Sequence, residues 1–366
     1  MWFKRMILEE WFDDYQYAVK YDIGESAVKY LTFGQLGINL DQLPIRYGYH
    51  HGRPDLRACL AEQYPGLSAK NVIVTSGGSE AIFLIASALL KPGDHAIIEH
   101  PNYPSLYEIP RSLNCQVSFL ELTFENQFKP DLQQLDTLIK PNTKLISLTH
   151  PNNPTGSMIS RKALDELIRW VEAHDLHLLF DETYREMAFG STLPPAATLS
   201  PNVISISSMS KCYGLPGIRI GWMVTQDQQM LDSALNIREQ VTITNNAIGE
   251  EIALQVLGQK EKYLQKARES ILQNRSIVSE WMKQQEDFEW IFPEAGVVSM
   301  PRLASHVKVD PEKLYRRLAE EFKTFVIPGR CFEVDNRYFR LGFGSNPEEI
   351  RTGLTNLNKA LNDLRG

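Results

Sequence analysis

The sequence predicts an α/β protein: a large domain with a mostly parallel seven-stranded sheet between helices, joined to a smaller α/β domain. Three observations carry that expectation. Between about residues 71 and 223, short apolar runs alternate with helical stretches. The runs are nearly continuous in apolar character, as strands covered on both faces are. After about residue 227 the pattern changes to long charged helical stretches, followed by a second group of short strands.

The runs are NVIVTS (71–76), HAIIEH (95–100), CQVSFLE (115–121), KLISLTH (144–150), HLLFDE (177–182), VISISS (203–208) and IRIGWMV (218–224). Helical patterns fall between several of them, at 79–90, 131–139 and 161–174. Such sheets bind ligands outside the carboxyl ends of their strands, so residues just after each run are the candidates for chemistry. Further on, helical patterns at 230–238 and 248–281 precede the strand candidates FEWIF, VVSM, TFVIP and YFRLGF. The chain divides into an N-terminal segment (1–46) joining the small domain, a large domain (47–255) and a C-terminal small domain (256–366).

Composition narrows the function. With 38 basic and 45 acidic residues the net charge is −7, and no Lys/Arg block occurs. Nucleic acid and anionic membranes are therefore poor partners, while a local basic pocket for a small anion stays open. Cys59, Cys115, Cys212 and Cys331 are dispersed without a C-x-x-C pair, so neither a disulfide framework nor a zinc site is expected. The N-terminus is interrupted by Lys4, Arg5, Glu9, Glu10, Asp13 and Asp14, unlike a signal peptide, and no apolar run reaches transmembrane length. A cytoplasmic enzyme is the expectation. His174-x-x-His177 with Asp181 has metal-like spacing, but His174 falls at a helix end and His177 opens a strand, so no metal is expected.

Four segments fall where strand ends should converge. Thr75-Ser76-Gly77-Gly78-Ser79-Glu80 links a strand to a helix, where free N–H groups can hold a phosphate, although a Gly-Gly turn capped by Ser79 is also an ordinary junction. His150-Pro151-Asn152-Asn153-Pro154-Thr155-Gly156 is a rigid turn after a strand. Asp181, in Phe180-Asp181-Glu182-Thr183-Tyr184, ends an apolar strand, and a carboxylate is expensive to bury unpaired. Lys211, in Ser208-Met209-Ser210-Lys211, follows another strand; desolvation there can strip its proton and leave an amine able to attack an aldehyde. Arg219, eight residues later, can offer a planar cationic fork to a phosphate.

Taken together, N-N-P-T-G, D-E-x-Y and S-x-S-K-x-x-G-x-P-G-x-R-x-G, in this order, resemble the class I/II aminotransferases of the pyridoxal-phosphate (PLP) fold type I. The resemblance spans roughly residues 47–343. It implies that Lys211 holds PLP as a Schiff base and then acts as the base that moves the substrate Cα proton. Asp181 would pair with the ring nitrogen, Asn153 and Tyr184 with the phenolic oxygen, and Tyr103 would stack on the ring. The phosphate would rest on Gly78, Ser79, Ser208 and Arg219. Arg340, in Tyr338-Phe339-Arg340-Leu341-Gly342-Phe343, resembles the clamp for the substrate α-carboxylate. Tyr47, in Arg46-Tyr47-Gly48-Tyr49-His50-His51-Gly52, resembles the tyrosine that reaches a neighbouring subunit's phosphate, implying a homodimer with shared active sites.

Two stretches depart from the family pattern. The loop expected to close over substrate is represented by Asp22-Ile23-Gly24-Glu25-Ser26, where Gly24 would contact the substrate and Glu25 would favour a cationic side chain. That stretch is similar to PLP enzymes that tailor arginine-derived amino acids. Tyr49, His50 and His51 are bulkier and more polar than is usual there. Transamination between an L-amino acid and a 2-oxo acid is the leading expectation. A lyase or cyclase would use the same residues, since each begins by removing the Cα proton. A PLP-binding regulatory module without turnover is disfavoured by the complete catalytic set.

Overall fold

A computed structural model describes residues 2–190 and 192–365. Seven strands form its main sheet: β1 (Val72–Thr75), β2 (His95–His100), β3 (Gln116–Glu121), β4 (Thr143–Thr149), β5 (His177–Asp181), β6 (Val203–Ser208) and β7 (Gly221–Thr225). Their spatial order is β1-β7-β6-β5-β4-β2-β3. Only β7 runs against its neighbours; the other pairings are parallel. Every residue of β1, β2, β6 and β7 is buried, whereas the edge strand β3 exposes both its ends. This explains why these runs lack a polar alternation: helices cover both faces.

Three helices frame the sheet and its site: α1 (Ile7–Tyr15), α2 (Gly78–Leu89) and α3 (Arg161–Ala173). In α3, the Ser160 side chain accepts from the Ala163 N–H as an N-cap, and Leu164, Leu167, Ile168 and Val171 form the buried stripe. That stripe packs with Ile146, Leu148 and Phe180 on one sheet face, while α2 packs Ile82 and Ile85 with Ile98 and Ile206 on the other.

The structure shifts several expected boundaries. The run at 218–224 becomes a strand only at Gly221, because Pro216–Ile218 is a 3-10 turn and Arg219 is left-handed (φ 53°). The 131–139 pattern yields only two short pieces, Leu132–Gln134 and Leu135–Leu138. The 248–281 pattern breaks at Gly258 into Ala247–Leu257 and Lys260–Met282. Ser105–Ser112 is helical although it contains Pro110. TFVIP splits into Thr324–Phe325 and a separate strand, because its halves pair with different partners.

The C-terminal part holds a small antiparallel sheet of β8 (Val298–Ser299), β9 (Ile327–Pro328) and β10 (Phe339–Gly342), ordered β8-β10-β9. The N-terminal segment is fastened to it. Tyr21–Asp22 pairs in parallel with Thr324–Phe325, and the Gly342 N–H donates to the Ile23 carbonyl at 2.8 Å. A Cβ on Gly344 would collide with the Ala27 carbonyl oxygen, so the backbones must touch. Trp11, 2% exposed, anchors α1 by donating from Nε1 to the Val326 carbonyl at 2.9 Å. Replacing Trp11 by Ala removes a buried ring and this bond. Urea unfolding should show a loss of about 3–5 kcal/mol, and an unchanged midpoint would mean α1 is not held in this way.

Candidate active site

The carboxyl ends of β4, β5 and β6 open onto a cavity of about 320 Å³, roofed by α1 and by Glu25 and Ser26. Its lining includes Gly78, Ser79, Tyr103, Asn153, Asp181, Tyr184, Ser208, Lys211, Arg219 and Arg340. The fold thus gathers ten of the twelve residues named as the candidate site. Gly24 stands just outside it, and Tyr47 lies elsewhere.

One end is built for an anion. The α2 N-terminus presents Gly78 and Ser79, with Ser208, Ser210 and Arg219 alongside. Gly77 has φ 82°, and a Cβ there would run into the Arg219 guanidinium. A Cβ on Gly221 would come within 2.5 Å of the Gly77 carbonyl carbon. The glycines therefore let the cation lie against the turn.

In the middle, Asp181 is 7% exposed and accepts the Thr183 N–H at 2.9 Å. Burial pushes its carboxyl up to about 6, with the Thr183 hydrogen bonds working against that. The buried Tyr184 hydroxyl donates to the Ser26 carbonyl at 3.0 Å, and burial raises its pKa.

At the other end Arg340 is 1% exposed. Its Nε donates to the Gly24 carbonyl at 2.9 Å and its Nη1 to Asn153 Oδ1 at 3.1 Å. Its Nη2 is buried with no partner, which leaves one prong of the fork ready for a carboxylate.

Lys211 corrects one expectation. Its Nζ donates to Ser26 Oγ at 3.1 Å and lies 3.2 Å from Glu25 Oε1. Burial is the largest influence and pulls its pKa down as anticipated, but Glu25, helped by Tyr184 and Tyr103, turns the net shift upward. Desolvation alone does not strip this proton. Burial would raise Glu25 in turn, yet the Lys211 and Arg340 cations hold it at about 2.

Tyr47 is 83% exposed and lines a separate cleft with Arg46, Tyr49 and Glu250. His50 binds Glu239 through Nδ1 at 2.9 Å, and His51 lines neither cavity. The His174 ring bonds the Trp170 carbonyl, His177 lies 3.7 Å from Asp227, and no metal-holding group occurs among the described residues. No helix among them is long and apolar enough to cross a membrane.

Sequence reasoning missed the contribution of α1. Leu8, Glu9, Phe12 and Asp13, with Gln16 beyond the helix, line the cavity mouth. Their spacing marks one helical face, but only the docking of α1 says what that face meets.

These residues fit PLP: an anion site at a helix N-terminus, a buried carboxylate opposite no basic side chain, a lysine between them, and an unpartnered arginine prong. Residues 35–357 match the family described as aminotransferase class I and II. Capreomycidine synthase of Streptomyces vinaceus is 30% identical over 367 residues, 97% of this chain and 93% of that protein. A PLP-dependent aminotransferase of Streptococcus suis 89-1591 superposes with a TM-score of 0.93 at 30% identity, covering 100% of this chain and 99% of the other. The PLP-dependent cyclase OrfR superposes with a TM-score of 0.91 at 27% identity, again covering 100% and 99%.

Asp181 sets a testable pH dependence. Its folded pKa is raised from 3.8 to about 6, so its share of stability is full below pH 3.8 and is lost as pH rises through about 6. Two units correspond to about 3 kcal/mol. Cofactor-free Asp181→Asn should therefore be more stable than wild type at pH 7 to 8, with the gap closing below pH 4. Equal melting temperatures at both pH values would show that Asp181 is not strained by burial.

Proposed function

The chain belongs to the class I and II aminotransferases, whose cofactor is pyridoxal 5'-phosphate, and on that premise we propose that it moves an amino group between an L-amino acid and a 2-oxo acid. The observation that carries this is the single cavity shared by Lys211, Asp181, Arg340 and the Ser79–Arg219 anion site. When bound, PLP supplies an aldehyde that captures amines and a ring that takes up the electron pair left when the Cα–H bond breaks.

The rest falls to the chain. Gly78, Ser79, Ser208 and Arg219 hold the phosphate, and Tyr103 covers the ring. Asp181, whose proton is loosely held at about 6, pairs as a carboxylate with a protonated ring nitrogen. Asn153 and Tyr184 bind the phenolic oxygen, while Lys211 holds the cofactor through Nζ. Arg340 orients the substrate by its α-carboxylate, with Nε fixed by the Gly24 carbonyl. Lys211 Nζ, which the cavity places beside the substrate site, would also be the base for the Cα proton. With Nζ engaged, Glu25 would lose the stronger of the two cations that hold it and could receive a positive group from the substrate.

A second reading is favoured by the acidic lining. Glu9, Asp13 and Glu25 all face the cavity. Burial raises the pKa of Glu9 against the pull of Lys211 and Arg340, as a carboxylate short of a cation does. A donor with a cationic side chain would suit them. Two of the proteins to which the chain is similar are named a synthase and a cyclase, so cyclisation or elimination after Cα deprotonation is the alternative fate.

The same reading divides the chain at 46/47 and 255/256. The pairing of Tyr21–Asp22 with Thr324–Phe325 supports joining 1–46 to the small domain. It also makes the protein a homodimer with shared active sites, in which Tyr47, outside its own cavity, serves the phosphate site of the partner.

Borohydride treatment of the holoenzyme should fix the cofactor on Lys211, and a modified peptide elsewhere would overturn the assignment. Lys211→Ala should cut turnover by at least about 10²–10⁴-fold. Mixed singly with amino acids, including arginine and aspartate, the enzyme should release one equivalent of 2-oxo acid and retain the amino group. Release of ammonia or a cyclic amino acid would instead establish the lyase or cyclase reading.

A further inference from the structure

Behind the cavity lies a carboxylate that touches none of the pocket surface. Glu99, the penultimate residue of β2, is fully buried (0% exposed). Three hydrogen-bond donors converge on it, and one histidine nitrogen lies close by. Oε2 accepts from the Thr149 N–H at 3.0 Å, from Asn152 Nδ2 at 3.0 Å and from Asn102 Nδ2 at 3.4 Å. Oε1 lies 2.8 Å from His150 Nε2. The Ile159 N–H donates to His150 Nδ1 at 3.1 Å, which leaves the ring proton on Nε2, the nitrogen nearer Glu99, although the pair lacks hydrogen-bond geometry. No lysine or arginine is among these partners; the charge is met by hydrogen-bond donors.

Each partner leads to a residue of the site. Asn102 Oδ1 accepts from the Tyr103 N–H and from Thr149 Oγ1, both at 2.8 Å. Asn152 precedes Asn153, and its Oδ1 accepts from the Thr155 N–H at 3.1 Å and Oγ1 at 2.7 Å, closing the turn. The His150 N–H donates to the Asp181 carbonyl at 3.0 Å, and its ring stacks on Phe180 with centroids 5.9 Å apart. A single buried carboxylate thus ties together the segments that carry Tyr103, Asn153 and Asp181.

We propose that Glu99 is a positioning residue for the cofactor ring: it sets the placement of Tyr103, Asn153 and Asp181 without touching cofactor or substrate. This rests on the reading above that those three residues face the ring. The chemistry requires a carboxylate rather than an amide. A glutamine would aim its NH₂ either at the three donors on Oε2 or at His150 Nε2–H. The imidazole cannot escape by changing tautomer, because Nδ1 is needed by Ile159. One donor pair must therefore collide in a dry site, and the segments must shift to relieve it.

The test compares wild type with Glu99→Gln, each freed of cofactor and then titrated with PLP. The PLP dissociation constant should rise about tenfold or more, as expected for one buried polar clash. The pH midpoint of the visible absorption of the bound cofactor should move as well, because Asn153 and Asp181 are displaced from the ring. A dissociation constant and pH midpoint like those of wild type would overturn the proposal, and a drop in melting temperature alone would show a purely structural role. Should Glu99→Gln fail to fold, Asn102→Ala decides by the same two readouts, since it removes the link to Tyr103 and leaves the carboxylate in place. Wild type that fixes PLP on Lys211 yet releases no oxo acid would undermine transamination and leave this inference standing.

Discussion

The contact on which the rest of this structure depends is the one between Lys211 Nζ and Glu25, 3.2 Å apart inside a cavity. A buried ammonium is costly unless met by a carboxylate and hydrogen bonds. Here the carboxylate comes from a segment remote in sequence, and the backbone of that segment is bound on both sides. The Val28 N–H donates to the Lys211 carbonyl at 3.0 Å, the Ser26 carbonyl accepts from Tyr184, and the Gly24 carbonyl accepts from Arg340. Across from these, Ile23 pairs with Phe325 and Gly342. One extended stretch therefore couples the main sheet to the small C-terminal sheet, and the cavity lies at the join.

The price of that arrangement is a set of polar groups held short of partners. Asp181 is pushed up to about 6 by burial, and Arg340 keeps one buried nitrogen without an acceptor. Each such group destabilises the fold by itself and strengthens binding of a ligand with the matching charge, since the desolvation has already occurred. Asp22 adds to the tension: burial and the neighbouring Glu25 raise it to about 6, while the Gly24 and Glu25 N–H groups hold it in place. The strain is concentrated where a cationic ring, an anionic carboxylate and an amine are to be received.

The cavity is also graded in charge. Arg219 and the α2 N-terminus stand at one end, Arg340 at another, and the carboxylates of Glu9, Asp13 and Glu25 face the mouth beside α1. The first two features suit any phosphate-bearing cofactor with an α-amino acid. Two of those carboxylates, Glu9 and Asp13, belong to the N-terminal helix, which reaches the site by packing Trp11 and Phe12 against Phe325. The acidic lining and the docking of the N-terminal segment thus depend on the same helix. The buried hub at Glu99 does similar work from behind, where the ends of the neighbouring strands β2, β4 and β5 must be kept in register with one another.

How much of this was legible before the fold is plain from particular residues. Strand-to-turn junctions are local, so the sequence by itself determined the sheet, the β1–α2 turn, and Asp181, Asn153 and Lys211 at or just after strand ends, whereas Arg219 proved to precede its strand in a left-handed turn. Burial on both faces leaves an unbroken apolar run whatever else surrounds it. Glu25 was legible as a residue near substrate, but not as the cation partner that keeps Lys211 protonated. The hub at Glu99 was invisible, because HAIIEH shows only a glutamate inside a strand and its three donors come from the end of β4 and from the segments after β2 and β4. Tertiary structure alone decided that α1 brings Glu9 and Asp13 to the cavity mouth. The physical reason is that these contacts join segments far apart in the chain, and their geometry is created by packing rather than by any local periodicity.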